Sequence, residues 1–128
     1  TCDRAAAAGP GSELAELATL LRPRVTRLIE VTTALAEVGA SDPEAFLADA
    51  TEYLEAAGHI VIAWMWLEQL LALGARVGEA SEGSDAFAAG KLGAARYFLR
   101  RELPIVDAKL DLLASGDRTT LDMRDDWF

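Results

Sequence analysis

The chain holds a single cysteine, Cys2, and a single histidine, His59. One cysteine excludes an internal disulfide framework and a cysteine-rich metal site. β-branched aliphatics are also scarce: 10 Val plus Ile stand against 25 Ala and 19 Leu in 128 residues. Strands favour β-branched side chains and helices favour Ala and Leu, so an all-β fold is disfavoured. Basic residues are few, 12 Lys plus Arg against 21 Asp plus Glu, for a net charge of −9. That balance lacks the electrostatic footprint of a nucleic-acid or anionic-membrane binder. The longest unbroken apolar run, residues 60–67, is eight residues long and is flanked by His59, Glu68 and Gln69. A spanning helix needs about 20 predominantly apolar residues, so on length a membrane span is not expected. The short Ala tract at residues 5–8 has no positive region with an apolar core behind it, so no signal peptide is read there. These absences, together with a free Cys2, predict a soluble cytoplasmic protein.

What is present is globular in composition, 52% hydrophobic and 26% charged. The length suits one domain, able to bury about two thirds of its unfolded surface. Residues 1–12 are expected to be an extended or disordered lead-in, broken by Gly9-Pro10-Gly11, with a helical domain and its tail over 13–128. The spacing predicts a first helix over 13–38, capped by Ser12 and carrying Glu13 and Glu16 in its first turn. Its apolar seam is Leu14, Leu17, Leu21, Leu28, Val31, Leu35 and Val38, interrupted near Pro23 and Arg24, where a bend is expected. Gly39 is its terminator.

A second helix is predicted over 43–77, capped by Asp42 with Pro43 at its first position. Such a helix would be about 50 Å long. Gly58 inside it marks a kink or a close helix contact. Its centre is apolar all the way round, so it must be covered on several sides. A polar loop at 78–84 leads to a third helix over 85–115, capped near Ser84 or Asp85 and ended by Gly116. Its core positions are Phe87, Leu92, Ala95, Phe98, Leu99, Leu103, Val106, Leu110 and Leu113, and Pro104 should kink or split it. The expected fold is therefore all-α, an antiparallel bundle of three long helices. A fourth helix comes from the split at Pro104 or from a partner chain.

Little in this pattern carries chemistry. His59 has Glu55 one turn before it, but no second histidine or nearby cysteine to make a metal site. Trp64 and Trp66 lie about 200° apart on a helix and cannot line one slot, so they read as core or interface residues. Arg96 and Arg100 share a helix face and could contact a phosphate, or pair with the acidic surface. Carboxylate pairs such as Asp107 with Asp111 and Asp125 with Asp126 are expected by chance among 21 acids. Trp127 and Phe128, after a charged stretch, read as a docking anchor. No phosphate-cradling glycine loop or nucleophile motif is present, and no catalytic, cofactor or metal residue is assigned.

Two stretches go further. Tyr53-Leu54-x-x-x-Gly58-x-Ile60-x-x-Ala63-Trp64-Met65-Trp66 resembles the long aromatic helix of the C-terminal domain in one branch of the acyl-CoA dehydrogenases. Lys91-Leu92-x-x-Ala95-Arg96-Tyr97-Phe98, running on to Leu103-Pro104, is similar to that branch's second signature, and the ending at Phe128 is similar to the end of such chains. The similarity covers roughly residues 15–128, and the order and spacing of the two stretches make it moderately specific. The resemblance implies a parent flavoenzyme in which a carboxylate takes the α proton of an acyl-CoA thioester and FAD accepts hydride from the β carbon. The base and the FAD contacts would lie in preceding domains, with no FAD held by this chain. The implied role is packing and assembly, through Trp64, Trp66, Phe98, Trp127 and Phe128, with the rest of the parent and a second copy as partners. The alternative is a free-standing helical module that self-associates through Trp64 and Trp66. The length of the natural reading frame would separate the two.

Overall fold

A computed structural model of the chain describes residues 1–9, 11–74 and 85–128. Every regular element among them is helical. In order they are α1 (Cys2–Ala7), α2 (Glu13–Gly39), α3 (Pro43–Ala48), α4 (Ala50–Leu73), α5 (Asp85–Tyr97), a π-helical turn (Phe98–Glu102), α6 (Ile105–Ser115) and a terminal 3-10 turn (Asp125–Trp127).

Two of the expected caps form. The Ser12 hydroxyl accepts from the Ala15 amide at 3.2 Å, and the Asp42 carboxylate accepts from Ala45 at 3.0 Å with Pro43 behind it. Each satisfies a donor that the first helical turn leaves without a partner. Helix α4 stops at Gly74, whose φ of 53° is a left-handed angle that side chains resist. The expected loop at 78–84, the Ser84 cap and the last residues of the predicted second helix lie outside the described residues.

Three readings of the sequence need correction. The N-terminal residues are not an extended lead-in: Cys2–Ala7 is helical and packs on α2 and α4, with Ala5 fully buried. Ala tolerates a helix at little entropic cost, and its small side chain lets α1 approach the core. The second long helix is broken at Asp49 into α3 and α4 (φ −110°, ψ 29° at Asp49). Phe87 points outward, and Ala88 takes the buried place beside Leu92.

The third rod is divided at Pro104, as expected, but by a specific device. Proline has no amide hydrogen and its ring crowds the carbonyl one turn back. The backbone widens upstream: the Leu103 amide donates to the Phe98 carbonyl at 2.9 Å, five residues back. This keeps Leu99, Leu103 and Val106 all inside.

Ion pairs read out the topology. Along α2, Glu13, Glu16, Arg24 and Arg27 meet Arg96, Arg100, Asp107 and Asp111 in the same order, so α2 runs parallel to α5 and α6. Helix α4 runs against both, because Gln69 meets Lys91 and Glu52 meets Lys109. The result is an up-down-up bundle of three rods, with α1 packed alongside α2 and α4 and α3 folded onto the far end of α2. Its core is Leu17, Leu21 and Val31 of α2, a stripe of α4, and the inner faces of α5 and α6.

Helix α4 contains an 18-residue window of mean hydropathy 1.4, so by length and composition it is able to cross a bilayer, and length does not dispose of that reading. The core stripe of a bundle passes the same test. Here Ala56, Ile60, Ala63, Leu67 and Leu70 pack inside, and Glu52, Glu55 and Glu68 hold Lys109 and Arg4.

Candidate functional site

The buried residues of α4 recur every three or four positions and fill one side of the helix. About 180° round lies a second apolar stripe, Leu54, Gly58, Val61, Ile62 and Met65. Its four side chains are exposed, Leu54 at 69% and the others near half. The all-round apolarity of α4 thus resolves into an inner stripe that the bundle covers and an outer one that it does not. Gly58 sits in the middle of the outer stripe with open space above it, so it serves no close helix contact among the described residues. Contiguous exposed apolar surface of this kind marks interfaces in soluble proteins.

Trp64 and Trp66 face different sides. The Trp64 indole donates to the Thr1 hydroxyl at 2.5 Å and lies beside Glu68, at the edge of the outer stripe next to α1. Trp66 turns toward α5, half-buried, with the Lys91 ammonium 5.3 Å from its ring centre. Phe98 lies half-buried and stacks on His59, ring centres 6.0 Å apart. The His59 Nδ1–H donates to the Glu55 carbonyl at 2.8 Å, while the Glu55 carboxylate goes to Lys109 at 2.6 Å, so no His–carboxylate pair forms. Trp127 and Phe128 are 62% and 96% exposed and join no buried core among the described residues.

Arg96 and Arg100 both turn to the first turn of α2. The Arg96 guanidinium donates to both carboxylate oxygens of Glu13, and Arg100 lies 3.7 Å from Glu16. The Arg96 hydrogen bond holds the Glu13 carboxyl below the usual carboxylate range. Asp107 is gripped by Arg24 at 2.9 and 2.5 Å. Among the described residues no group of three or more His, Cys, Asp or Glu side chains is placed to hold a metal.

A feature with no sequence signal is a cleft of about 390 Å³ between the C-terminal half of α2, α3, the start of α4 and the end of α6. It exists because the chain turns at Asp49, which swings α3 away from the axis of α4. Helix α3 is seated against α2 where Gly39 leaves room for the Phe46 ring, whose nearest carbon is 3.0 Å from where a β-carbon would stand. The Tyr53 hydroxyl lies 2.9 Å from the Thr32 oxygen at one wall.

Among known proteins, a family model described as acetyl-CoA dehydrogenase C-terminal like matches residues 1–124. A search of curated proteins finds no match. Nor does any solved structure match.

Proposed function

Because the chain belongs to the acetyl-CoA dehydrogenase C-terminal-like family, we propose that it is the non-catalytic packing module of an FAD-linked acyl-CoA dehydrogenase. The outer stripe of α4 is its contact surface. That stripe is the observation that carries the reading: Leu54, Val61, Ile62 and Met65 form an apolar face that the bundle leaves in water. Full burial of a large aliphatic side chain is worth roughly 1.5–3 kcal/mol, and these four forfeit a part of that. The rest of the parent enzyme and a second copy of the chain are the partners that recover it, and a twofold arrangement is the commonest closure. Trp64, at the edge of the stripe, and the exposed Trp127 and Phe128 extend the contact. The net charge of −9 favours a protein partner over nucleic acid or an anionic membrane, in the cytoplasm.

Membership of the family implies a parent linked to FAD. The residues described here do not fit a flavin. Arg96 and Arg100, the cations that would face a pyrophosphate, are already matched to Glu13 and Glu16. The two indoles that would sandwich an isoalloxazine point to different sides of α4. On this reading the flavin contacts and the base belong to other parts of the parent.

The test is light scattering over a concentration series, on the chain and on the complete flavoenzyme, with Val61→Glu/Met65→Glu beside the unaltered protein. Both positions are exposed, so helicity should be kept. The reading expects dimers of the unaltered chain at micromolar concentration, monomers of the variant, and a flavoenzyme variant that keeps its FAD but loses subunit association. A strict monomer at high micromolar concentration, with unchanged association of the flavoenzyme variant, would overturn it.

A further inference from the structure

The cleft between α2, α3 and α6 is unrelated to the outer face of α4, and its chemistry is specific. Its volume of about 390 Å³ lies within the range of small-molecule sites, roughly 300–1,000 Å³. The lining is largely apolar and includes Leu35, Phe46, Tyr53 and Leu113. The rim carries three carboxylates, Asp42, Asp49 and Asp117, against one cation, Arg118. That cation is spent: Arg118 is bound by Asp42 at 2.8 Å and lies 3.7 Å from Asp122. The Thr32 hydroxyl donates to the Leu28 carbonyl at 2.6 Å, so in its 2.9 Å contact with Thr32 the Tyr53 hydroxyl is the donor. The Tyr53 oxygen is left as an acceptor only. Asp42 and Asp117 are both held below the usual carboxylate range, chiefly by backbone amides of Ala45 and Thr119, and are charged at neutral pH.

We propose that this cleft binds a small amphiphile with an apolar body and an alkylammonium head. The apolar body is covered by Leu35 and Leu113. The head is received by the Phe46 and Tyr53 rings and by the excess carboxylates of the rim. Ring faces and carboxylates both attract a weakly hydrated cation, whereas a carboxylate or sulfonate head would meet like charge.

The experiment titrates the isotope-labelled chain with hexyltrimethylammonium and with hexanesulfonate, following amide chemical shifts. The cation is expected to give saturable shifts confined to the cleft walls, with affinity about tenfold above that of the sulfonate. Ala50→Trp, which fills the cleft, should abolish the shifts. Asp49→Asn leaves the walls alone and should weaken the cation severalfold while leaving the sulfonate unchanged; it decides the matter if Ala50→Trp does not fold. Equal affinity for both heads overturns the proposal. So do shifts centred on Val61, Ile62 and Met65, or cleft signals that broaden with protein concentration before any ligand is added, the mark of a second copy in the cleft.

Discussion

Two glycines with the same helical backbone sit in opposite surroundings, and substitution should separate them. Gly58 lies in the interior of α4 with nothing near a prospective β-carbon. Gly58→Ala is expected to stabilise the monomer by about 0.5–1 kcal/mol, through the reduced entropy of the unfolded chain. At Gly39 the added carbon would stand 3.0, 3.1 and 3.3 Å from three atoms of Phe46. Gly39→Ala is expected to destabilise by about 1 kcal/mol, the low end for overpacking, because α3 must shift as well as the ring. Urea unfolding of the two variants against the parent chain measures both signs. At this scale the sequence was readable where periodicity decided the matter. The opposite orientation of Trp64 and Trp66 follows from helical pitch. The partners of Arg96 and Arg100 did not: 21 acids offer many mates, and only the parallel alignment of α2 with α5 selects Glu13 and Glu16.

Elements were legible in proportion to their punctuation. Ser12, Asp42 and Pro43 mark helix starts by chemistry that needs no tertiary contact. Ser12→Ala removes an acceptor from the first turn of α2. It should cost about 1 kcal/mol, and lower the midpoint of thermal unfolding by about 4 °C in calorimetry. The break at Asp49 has only the aspartate itself as a mark, and its side chain makes no capping bond. Ala48-Asp49-Ala50 has neither glycine nor proline, and the turn is imposed by the seating of Phe46 against Gly39. The cleft was invisible for the same reason, since it is a product of that turn. Pro104 announced a disturbance but not its form. A π turn accommodates the proline and keeps Leu103 and Val106 facing the core, and that outcome depends on what α2 and α4 present there.

For the whole molecule, charges stitch the rods together. Glu13 is held below the usual carboxylate range by Arg96, Glu55 by Lys109, and Glu68 is brought down to about 2 by the Thr1 hydroxyl and Arg4. A depressed carboxylate pKa means that the unfolded chain binds protons more readily than the folded one. The stability these groups contribute is complete above the ordinary value of 4.5 and is lost as pH falls from there toward about 2. Lys109 is shifted upward by Glu52 and Glu55, so its share is present at neutral pH and fades only as pH rises past its ordinary 10.5. Urea midpoints should therefore be level near neutrality and decline gradually below pH 4.5. High salt should flatten the decline, because each pair keeps at least one partner in contact with solvent.

The two apolar stripes of α4 also set a problem of timing. Burying the inner stripe completes the bundle, but that same step presents the outer stripe, fully formed on a rigid helix, to every other chain in solution. Productive capture and clumping then compete for one surface, and the second is of higher order in concentration. Refolding by rapid dilution should give soluble protein in a yield that falls steeply with chain concentration. Val61→Glu/Met65→Glu should level that dependence without speeding the folding step itself. On the proposed reading of the outer stripe as a contact surface, the chain would be a poor traveller alone in the cell, with its safety resting on how soon a partner arrives.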